Sequence, residues 1–528
     1  MYIRSDLAAS LTAFVVMMGC SSPPPYRTSL SAPPSSCADV YAKYDDASLT
    51  PAPKRQLVTE DLKDNARQKC WLSSWEKHAN YDLFSVEFDD QGWLANSAAN
   101  PRTVETQLTS LMDRLNALTK GESGEPPRSL SIVLYTHGWH HSAAANDTNV
   151  IAFRKLLASA SELENTLCLA KRPADERAKA GSCSESEQAP LAQRKRHVVG
   201  IYVGWRGDSI LGPLIEDSSI WDRKLAAEKV ALGSVQELYA RIHDFYLKHT
   251  CHSVGSELIR DCRERPDVRL LTIGHSFGGL ITYRSLAPRL MLGVAETHRR
   301  SPQGATSSIP YAYGFGDLTV LINPAFEGTR FEPLAWAATH RDYQEGHNGT
   351  QETAQLPYLI VAQSKGDLAT RIAFPMFRYV TTLFESAPGV EGPGNINTVG
   401  WTDRYITHEL VMDPGNDACP GVKDSNDSVD RLNRQTKWAN ANLKTGFDGD
   451  VHLCNGLWLK KGSPDTSEAH LPRKAFMPLW VIKTDPAIIY DHNDFLNPRF
   501  VDFVWQIYYA ILTEDEAYTE RLISSHPH

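Results

Sequence analysis

The sequence lacks an excess of basic residues, a cysteine pattern for zinc and any internal repeat. Its 54 Lys and Arg stand against 63 Asp and Glu, a formal net charge of −9, which argues against a nucleic-acid-binding protein. No CxxC motif occurs and the 18 histidines are scattered, so we expect neither a metal site nor a cofactor. With 42% hydrophobic and 22% charged residues, the composition excludes a disordered, collagen-like or coiled-coil chain and is typical of a globular protein.

The N-terminus also lacks a run of about 20 apolar residues, the length that a membrane-spanning helix needs. The shorter apolar segment Leu7–Gly19 is followed by Cys20 and a stretch rich in Ser and Pro, which suits a secretory signal peptide. This start resembles a bacterial lipoprotein signal. The resemblance implies export to the cell envelope, on the periplasmic or outer-membrane side, and a membrane anchor of lipid on Cys20 behind a flexible tether. Met17, where that family usually has Leu, and the single Arg4 depart from the pattern, so secretion without lipid and a cytosolic chain are the alternatives.

Eight cysteines remain when Cys20 is set aside, and an even number suits an oxidising compartment. Many connectivities are open to eight cysteines, but each of these lies near a neighbour in the sequence. We therefore expect sequential pairing, as Cys37–Cys70, Cys168–Cys183, Cys251–Cys262 and Cys419–Cys454.

Beyond residue 80, short apolar runs bounded by turn residues alternate with segments of helical period, which predicts an α/β fold with a mainly parallel sheet flanked by helices. The predicted strands are Tyr81–Phe88, Leu130–Tyr135, Val198–Val203, Arg269–Ile273, Leu318–Ile322, Tyr358–Val361 and Leu479–Ile482. The predicted helices are Val104–Leu118, Asn149–Leu169, Lys224–Lys248, Gly279–Leu292 and Pro498–Leu512.

The chain divides into a signal peptide (1–19), a tether with an N-terminal extension (20–80), the first part of the core (81–384), an insertion (385–477) and the final part of the core (478–528). The insertion is rich in Gly, Asn, Asp and Trp and has little periodicity. Inserted segments of this length usually form lids or pocket walls, and a surface loop is the alternative.

The strongest chemical signal is the run Gly274-His275-Ser276-Phe277-Gly278, which follows an apolar strand and opens a helix. A strand, G-x-S-x-G and a helix are the context that a serine nucleophile requires. Glycines flank the serine because the turn is too tight for side chains, and the helix N-terminus lies beside the hydroxyl. A glycine-rich turn without chemistry is the alternative.

A second strand ends in His137-Gly138-Trp139. Backbone amides that already point at a carbonyl oxygen stabilise the charge developing there during acyl transfer, by about 3 kcal/mol per donor. We expect the amides of Trp139 and Phe277 to form this oxyanion hole. A metal cluster of the three histidines in this loop is the alternative, although consecutive histidines point in different directions.

Together these motifs resemble the α/β-hydrolase superfamily, in its bacterial esterase and lipase branch, over roughly residues 81–512. The resemblance implies an eight-stranded sheet, a triad in the chain order Ser, Asp or Glu, His, and hydrolysis of an ester-like bond. The segments Val199–Gly207 and Asp147–Leu156 also look like stretches of uncharacterised members of that superfamily, and this likeness implies no substrate.

The triad acid is expected just beyond a late strand, where Asp367 follows the strand that begins at Tyr358. Its carboxylate would accept the imidazole N–H and stabilise the imidazolium. Glu327 and Asp485 are alternatives. Asp317 is less suitable because it begins a strand.

The base is expected between the last strand and the terminal helix, which is the position of His492. An unperturbed imidazole, with a pKa of about 6.5, accepts the serine proton near neutral pH and returns it to the leaving group. Three histidines of the insertion are weaker candidates, namely His408, His452 and His470.

Several aromatic residues are candidates for an acyl pocket, although aromatic residues beside such a sheet are more often core. They are Trp139, Trp205, Trp401, Phe277 and Tyr405. The glycine-bounded loop 395–401 is a candidate to fold over the site.

The sequence thus predicts an exported serine hydrolase that cleaves a small-molecule or lipid ester, as a carboxylesterase or lipase, through an acyl-enzyme. A thioesterase or peptidase of the same fold is one alternative. A non-catalytic surface lipoprotein that uses the fold for binding is another. The sequence indicates no oligomeric state.

Overall fold

The computed structural model describes residues 24–46, 50–95, 106–121, 126–170, 183, 194–207, 220–250, 266–296, 298–300, 306–308, 312–341, 355–382, 392–419, 449–461 and 477–525. The expected signal peptide, the lipid-attachment residue Cys20, the expected pair Cys251–Cys262 and His470 lie outside these described residues.

A largely parallel sheet runs through the molecule. The strands are β1 (Trp75–Lys77), β2 (Tyr81–Glu87), β3 (Leu130–Thr136), β4 (His197–Gly204), β5 (Val268–His275), β6 (His298–Arg300), β7 (Thr306–Ser308), β8 (Leu318–Ile322), β9 (Leu359–Ser364), β10 (His408–Met412), β11 (Val451–His452), β12 (Leu457–Lys461) and β13 (Leu479–Thr484). Eleven of them form one sheet in the order β1-β2-β4-β3-β5-β8-β9-β13-β10-β12-β11, and β6 pairs with β7. Neighbours from β2 to β10 are parallel, whereas β1, β12 and β11 pair antiparallel at the two edges.

Helices cover both faces of this sheet. They are α1 (Cys37–Tyr44), α2 (Pro51–Asp61), α3 (Asn65–Leu72), α4 (Gln107–Lys120), α5 (Thr148–Ala170), α6 (Ile220–Leu232), α7 (Val235–His249), α8 (Phe277–Ala295), α9 (Glu332–His340), α10 (Phe374–Thr381), α11 (Gly392–Ile396) and α12 (Pro498–Ser525). Among the described residues, no helix is both long enough and apolar enough to cross a membrane.

Two hydrophobic cores lie on opposite faces of the sheet, and β3 shows why its sequence is apolar throughout. Ile132 and Leu134 pack in the core that α4, α6, α7 and α8 complete. Val133 and Tyr135 pack in the core that α5 and α12 complete. Because side chains alternate between the faces of a strand, a strand covered on both faces needs apolar residues at successive positions.

All seven predicted strands are formed, but the predicted helix Lys224–Lys248 is two helices, α6 and α7. The break falls at Gly233, where an added Cβ would lie 2.2 Å from the carbonyl oxygen of Gly92. The amide of Ser234 donates to that same oxygen at 2.7 Å. The segment around Gly92, which follows β2, therefore ends α6 by packing against Gly233. A helical period in the sequence does not reveal this contact.

The sheet has eleven strands rather than the expected eight, and β10, β11 and β12, for which no strand was predicted, come from the insertion. In β10 and β12, buried positions alternate with partly exposed ones, so these short strands lack the continuous apolar run of the interior strands. The described parts of the insertion thus extend the sheet, and a lid role for the insertion stays a prediction.

The N-terminal extension is fixed to the body of the molecule from residue 26 onward. The backbone amides of Tyr26 and Arg27 both donate to the Glu87 carboxylate at 2.8 Å. The fully buried Arg27 guanidinium pairs with Glu76 at 2.8 Å and donates to the Ala143 carbonyl. The residues from Tyr26 onward are therefore not part of a flexible tether.

Three of the four expected disulfides are formed: Cys37–Cys70, Cys168–Cys183 and Cys419–Cys454. The first joins α1 to α3 and closes a small core of the extension, which also includes Ala145 and Ile151 of the body.

Candidate active site

Three side chains form a continuous hydrogen-bonded chain at the carboxyl edge of the sheet. The Ser276 hydroxyl donates to Nε2 of His492 at 2.8 Å. Nδ1 of His492 donates to Oδ2 of Asp367 at 2.9 Å. These residues follow β5, β13 and β9, so the parallel strands bring the three predicted triad residues together across more than 200 positions of sequence.

Ser276 occupies a strained turn between β5 and α8, with φ of 55° and ψ of −122°. A non-glycine residue in this region is uncommon and persists only where the surroundings fix it. Here the Ser276 amide donates to the Ile322 carbonyl, and the amide of Ala325 donates to the Ser276 carbonyl, both at 3.1 Å. The turn therefore holds the hydroxyl beside the N-terminus of α8.

The glycines around Ser276 are required by close approach of the backbone. A Cβ on Gly278 would lie 2.1 Å from the carbonyl oxygen of Thr136 in β3. A Cβ on Gly274 would lie 2.7 Å from the Thr282 hydroxyl, and one on Gly138 would lie 2.8 Å from Cβ of Ser276. Side chains at these positions would push β3, the turn and α8 apart.

The loop after β3 brings Trp139 next to Phe277, with 6.4 Å between the ring centroids. Within the described residues, the amides of Trp139 and Phe277 donate to no backbone or side-chain acceptor. The loop itself is fixed, since the His140 amide donates to the Gly207 carbonyl at 3.2 Å. Because Gly138 lies against Ser276 and Phe277 directly follows Ser276, the positions of these two amides are compatible with the expected oxyanion hole.

Buried His137 fastens this loop to β4. The Trp205 amide donates to Nε2 of His137 at 3.0 Å, which assigns the proton to Nδ1, and Nδ1 donates to the Gly138 carbonyl at 2.8 Å. Burial lowers the pKa of His137 to about 4, so the ring is neutral. Among the described residues, no cluster of His, Cys, Asp and Glu could hold a metal ion.

The backbone of His492 is held by two side chains. Nε2 of His275 donates to the His492 carbonyl at 2.7 Å, and Nδ2 of Asn323 donates to it at 3.1 Å. Burial, together with the nearby His492, lowers the pKa of His275 well below its ordinary value, which keeps that ring neutral. The sequence motif includes His275, but no local pattern pointed to Asn323, whose φ is 45°.

Asp367 is fully buried and accepts three further hydrogen bonds. The Thr370 hydroxyl donates to Oδ2 at 2.5 Å, the Thr370 amide donates to Oδ1 at 3.1 Å, and Gln363 donates to Oδ2 at 3.0 Å. Burial raises the pKa of Asp367, but hydrogen bonds from His492 and Thr370 outweigh it, so the pKa lies below its ordinary value. The carboxylate is therefore charged when it faces the imidazole.

The alternative acids have other structural roles. Asp317 precedes β8 at the opposite edge of the sheet and accepts from the Leu270 amide at 2.6 Å. Glu327 forms ion pairs with Lys224 at 2.8 Å and Arg330 at 2.6 Å. Asp485 closes a turn by accepting from the amide two residues onward.

Two of the three alternative bases, His408 and His452, lie within the described residues, in the strands β10 and β11 near one edge of the sheet. His408 begins β10 and packs against Trp480, with 4.8 Å between the ring centroids. His452 lies in β11 and stacks on Trp458. Both rings thus pack on tryptophans of neighbouring strands.

Three of the candidate pocket aromatics are core residues, since Trp205, Phe277 and Tyr405 are buried. Trp401 instead lines a cavity of about 340 Å³ together with the cationic side chains Lys365, Arg371 and Lys483. Its indole N–H donates to the Thr370 hydroxyl at 3.0 Å.

The loop 395–401 is packed against the strand ends, because the Val399 amide donates to the Phe326 carbonyl and a Cβ on Gly400 would contact Gln363. It therefore supports the Asp367 side of the site.

The assembled groups can activate a hydroxyl, relay its proton and hold an oxyanion. Comparisons of the chain with family models, with curated proteins and with solved structures find no match. The residues of the site are therefore the basis on which a function is inferred.

Proposed function

We propose that this protein is a serine hydrolase of the α/β-hydrolase fold that cleaves carboxylic esters. The observation that carries the proposal is the hydrogen-bonded chain from Ser276 through His492 to Asp367, with the serine on a strained turn between a strand and a helix. Strain at such a position is retained where it serves a mechanism.

In the proposed reaction, Oγ of Ser276 attacks the ester carbonyl while its proton passes to Nε2 of His492. Asp367 keeps the other ring proton on Nδ1 and stabilises the imidazolium that forms. The amides of Trp139 and Phe277 hold the oxyanion of the tetrahedral intermediate. His492 then protonates the departing alkoxide, which leaves the acyl group on Ser276.

Deacylation repeats the same steps with water. His492 takes a proton from the water molecule as the water oxygen attacks the acyl-enzyme carbonyl. The second tetrahedral intermediate collapses, the carboxylic acid leaves and the proton returns to Oγ of Ser276. No group beyond these residues is needed for the cycle to close.

We also propose that the chain is exported and held at the cell envelope through Cys20. Its disulfides are compatible with an oxidising compartment. An enzyme in that position meets lipids and imported esters, which favours a carboxylesterase or lipase over a peptidase.

A fluorophosphonate probe and a series of p-nitrophenyl esters from acetate to palmitate test this function on the mature chain beginning after Cys20. We expect the probe to label the wild type and to fail with Ser276→Ala, and we expect ester turnover to disappear with it. Ser131→Ala is the matched control, since Ser131 is also buried but lies at the start of β3, away from the carboxyl edge. A wild type that neither reacts with the probe nor cleaves any ester would be a binding protein instead.

A further inference from the structure

An exposed row of apolar side chains follows the triad acid. The chain after Asp367 forms a π-helical turn (Ala369–Ala373) that continues into α10. Four side chains of this segment are half to two-thirds exposed and recur at intervals of four, four and three residues. They are Leu368 at 61%, Ile372 at 50%, Met376 at 67% and Tyr379 at 64%. We call these four residues the apolar stripe.

The opposite side of the same segment is packed, since Thr370 and Phe374 are buried. A helix that already buries one face ordinarily presents polar residues on the other. Single exposed apolar residues are common on proteins, whereas a contiguous row indicates a surface that meets a partner or a membrane. The apolar stripe is such a row.

The stripe borders the triad. Leu368 directly follows Asp367, and Tyr490, which is 69% exposed, lies two residues before His492. The two segments touch, because a Cβ on Gly366 would lie 2.1 Å from the carbonyl oxygen of Tyr490. The stripe and Tyr490 therefore flank the same end of the sheet as the reactive groups.

Pro24, the first described residue, contacts the body at this same edge. The Pro24 carbonyl accepts from the Arg206 guanidinium at 3.0 Å, and Arg206 follows the carboxyl end of β4. Three strands, β3, β5 and β8, lie between β4 and β9. At the usual strand spacing, β4 and β9 are therefore about 19 Å apart. Cys20 is four residues before Pro24, within about 14 Å of it even when the chain is fully extended.

We propose that this edge is a membrane-docking surface, in which the apolar stripe enters the lipid layer that holds the acyl group of Cys20. The exposed cation Arg371 beside the stripe suits the anionic headgroups of such a layer. Docked in this way, the triad opens toward the membrane, so its substrate is an acyl ester of a lipid in that layer. The substrate class rests on the proposed ester hydrolysis, and the choice of a lipid layer rests on the proposed anchor at Cys20, whereas docking itself requires no catalysis.

A flotation assay separates docking from catalysis, because it uses the inactive Ser276→Ala chain without its acyl group. We expect the mature chain to float with vesicles of phosphatidylethanolamine and phosphatidylglycerol. Met376→Ser with Tyr379→Ser should reduce the bound fraction at least tenfold. The matched control is Leu292→Ser with Trp336→Ser, which removes side chains of similar exposure, 62% and 54%, from α8 and α9. This control should float like the parent chain.

A second measurement does not depend on loss of binding. Vesicles that contain brominated lipids should quench the fluorescence of the tryptophan added in a Met376→Trp variant. They should not quench the fluorescence of the tryptophan added in a Leu292→Trp variant. Equal flotation of stripe and control variants, no flotation of the parent chain, or equal quenching would each overturn the proposal. The parent chain could instead form a dimer in solution and fail to float, while the Met376→Ser, Tyr379→Ser variant is monomeric. That result would make this edge an interface between two copies and would also overturn the proposal.

The active chain then tests the substrate class. The quantity to measure is the turnover of an ester embedded in vesicles divided by the turnover of a soluble ester. We expect this ratio to fall at least tenfold in the Met376→Ser, Tyr379→Ser variant and to stay constant in the Leu292→Ser, Trp336→Ser control. Docking without any ester turnover would reject the proposed function, while the proposal of a docking surface would still hold. Unchanged ratios in a variant that no longer docks would reject the lipid substrate.

Discussion

The imidazole of His492 is fixed from two directions. Asp367 holds its ring through Nδ1, while His275 and Asn323 hold its backbone carbonyl. Because both the ring and the backbone of this residue are held, the imidazole has little freedom to turn, which would keep Nε2 aimed at Ser276 during the proposed reaction.

The charge on Asp367 is expected to matter more than its shape. Asp367→Asn keeps the volume but removes the charge that favours the imidazolium, so kcat should fall by roughly 10³- to 10⁴-fold. Asp485→Asn, which alters a carboxylate in a surface turn, should leave kcat within about twofold. Steady-state kinetics with a soluble ester, together with circular dichroism, measure both, and similar losses in the two variants would contradict the assignment of the acid.

Glu327 should make the protein sensitive to acid. Burial raises its pKa, but Lys224 and Arg330 outweigh that and lower it to about 2. When pH falls below the ordinary value of about 4.5, the unfolded chain takes up this proton first, so stability is lost as the pH falls toward 2. Between pH 7 and pH 3 the loss is about 2 kcal/mol from this one group.

Glu327→Gln should remove that part of the pH dependence. Denaturant unfolding at pH 7 and pH 3 measures it, and the free energy of unfolding should change less in the variant than in the wild type. The exposed Glu237 provides the control, since Glu237→Gln should retain the wild-type difference. An unchanged pH difference in Glu327→Gln would contradict the lowered pKa.

At the scale of elements, the site depends on how tightly α8 approaches β3. Only 2.1 Å separates the position of an added Cβ on Gly278 from the Thr136 carbonyl oxygen, and backbone atoms on both sides leave little room to adjust. The crossing point of strand and helix thus sets the position of the Ser276 hydroxyl.

Gly278→Ala should therefore displace α8. We expect destabilisation by about 1–3 kcal/mol and a loss of ester turnover of roughly 100-fold, because a shift of about 1 Å misplaces the hydroxyl. Gly449→Ala is the control, since a Cβ there meets nothing within 4 Å. Thermal unfolding and kinetics compare the two variants, and equal behaviour would argue against a packing role for Gly278.

The elements that could be predicted from the sequence are those with a local signal. The interior strands have such a signal, because burial on both faces leaves a largely apolar run, as in the predicted strand Leu130–Tyr135, which ends one residue later, at Thr136, in the structure. Ser276 and His492 also have a local signal, because each stands at a fixed place relative to a strand and a helix. Asn323, Gln363 and Thr370 have none, because their role depends on which strand ends become neighbours, which is a property of the folded sheet.

At the scale of the whole molecule, the N-terminal extension is joined to the body by the buried cluster around Arg27 and closed internally by Cys37–Cys70. This bond spans 33 residues of chain. Closing a loop of this length restricts the unfolded chain and stabilises the folded one by about 4 kcal/mol.

Replacing this pair, as Cys37→Ser with Cys70→Ser, should lower the unfolding temperature and expose the extension to limited proteolysis. Labelling of Ser276 by the fluorophosphonate should persist under mild conditions, because the triad is built on strands of the body. Wild-type resistance to proteolysis in the variant would show that Arg27 and its partners hold the extension without the disulfide.

The connectivity of the three described disulfides has a consequence for how the chain is made. Each joins a cysteine to the next one along the sequence. In a chain that enters an oxidising compartment N-terminus first, each of these thiols meets its correct partner as soon as that partner emerges, and no wrong bond has to be reshuffled. One thiol would disturb this order, because Cys20 emerges before Cys37 and would compete for it. The acylation that we propose for Cys20 would withdraw that thiol, so the proposed anchor would also keep the number of reactive thiols even.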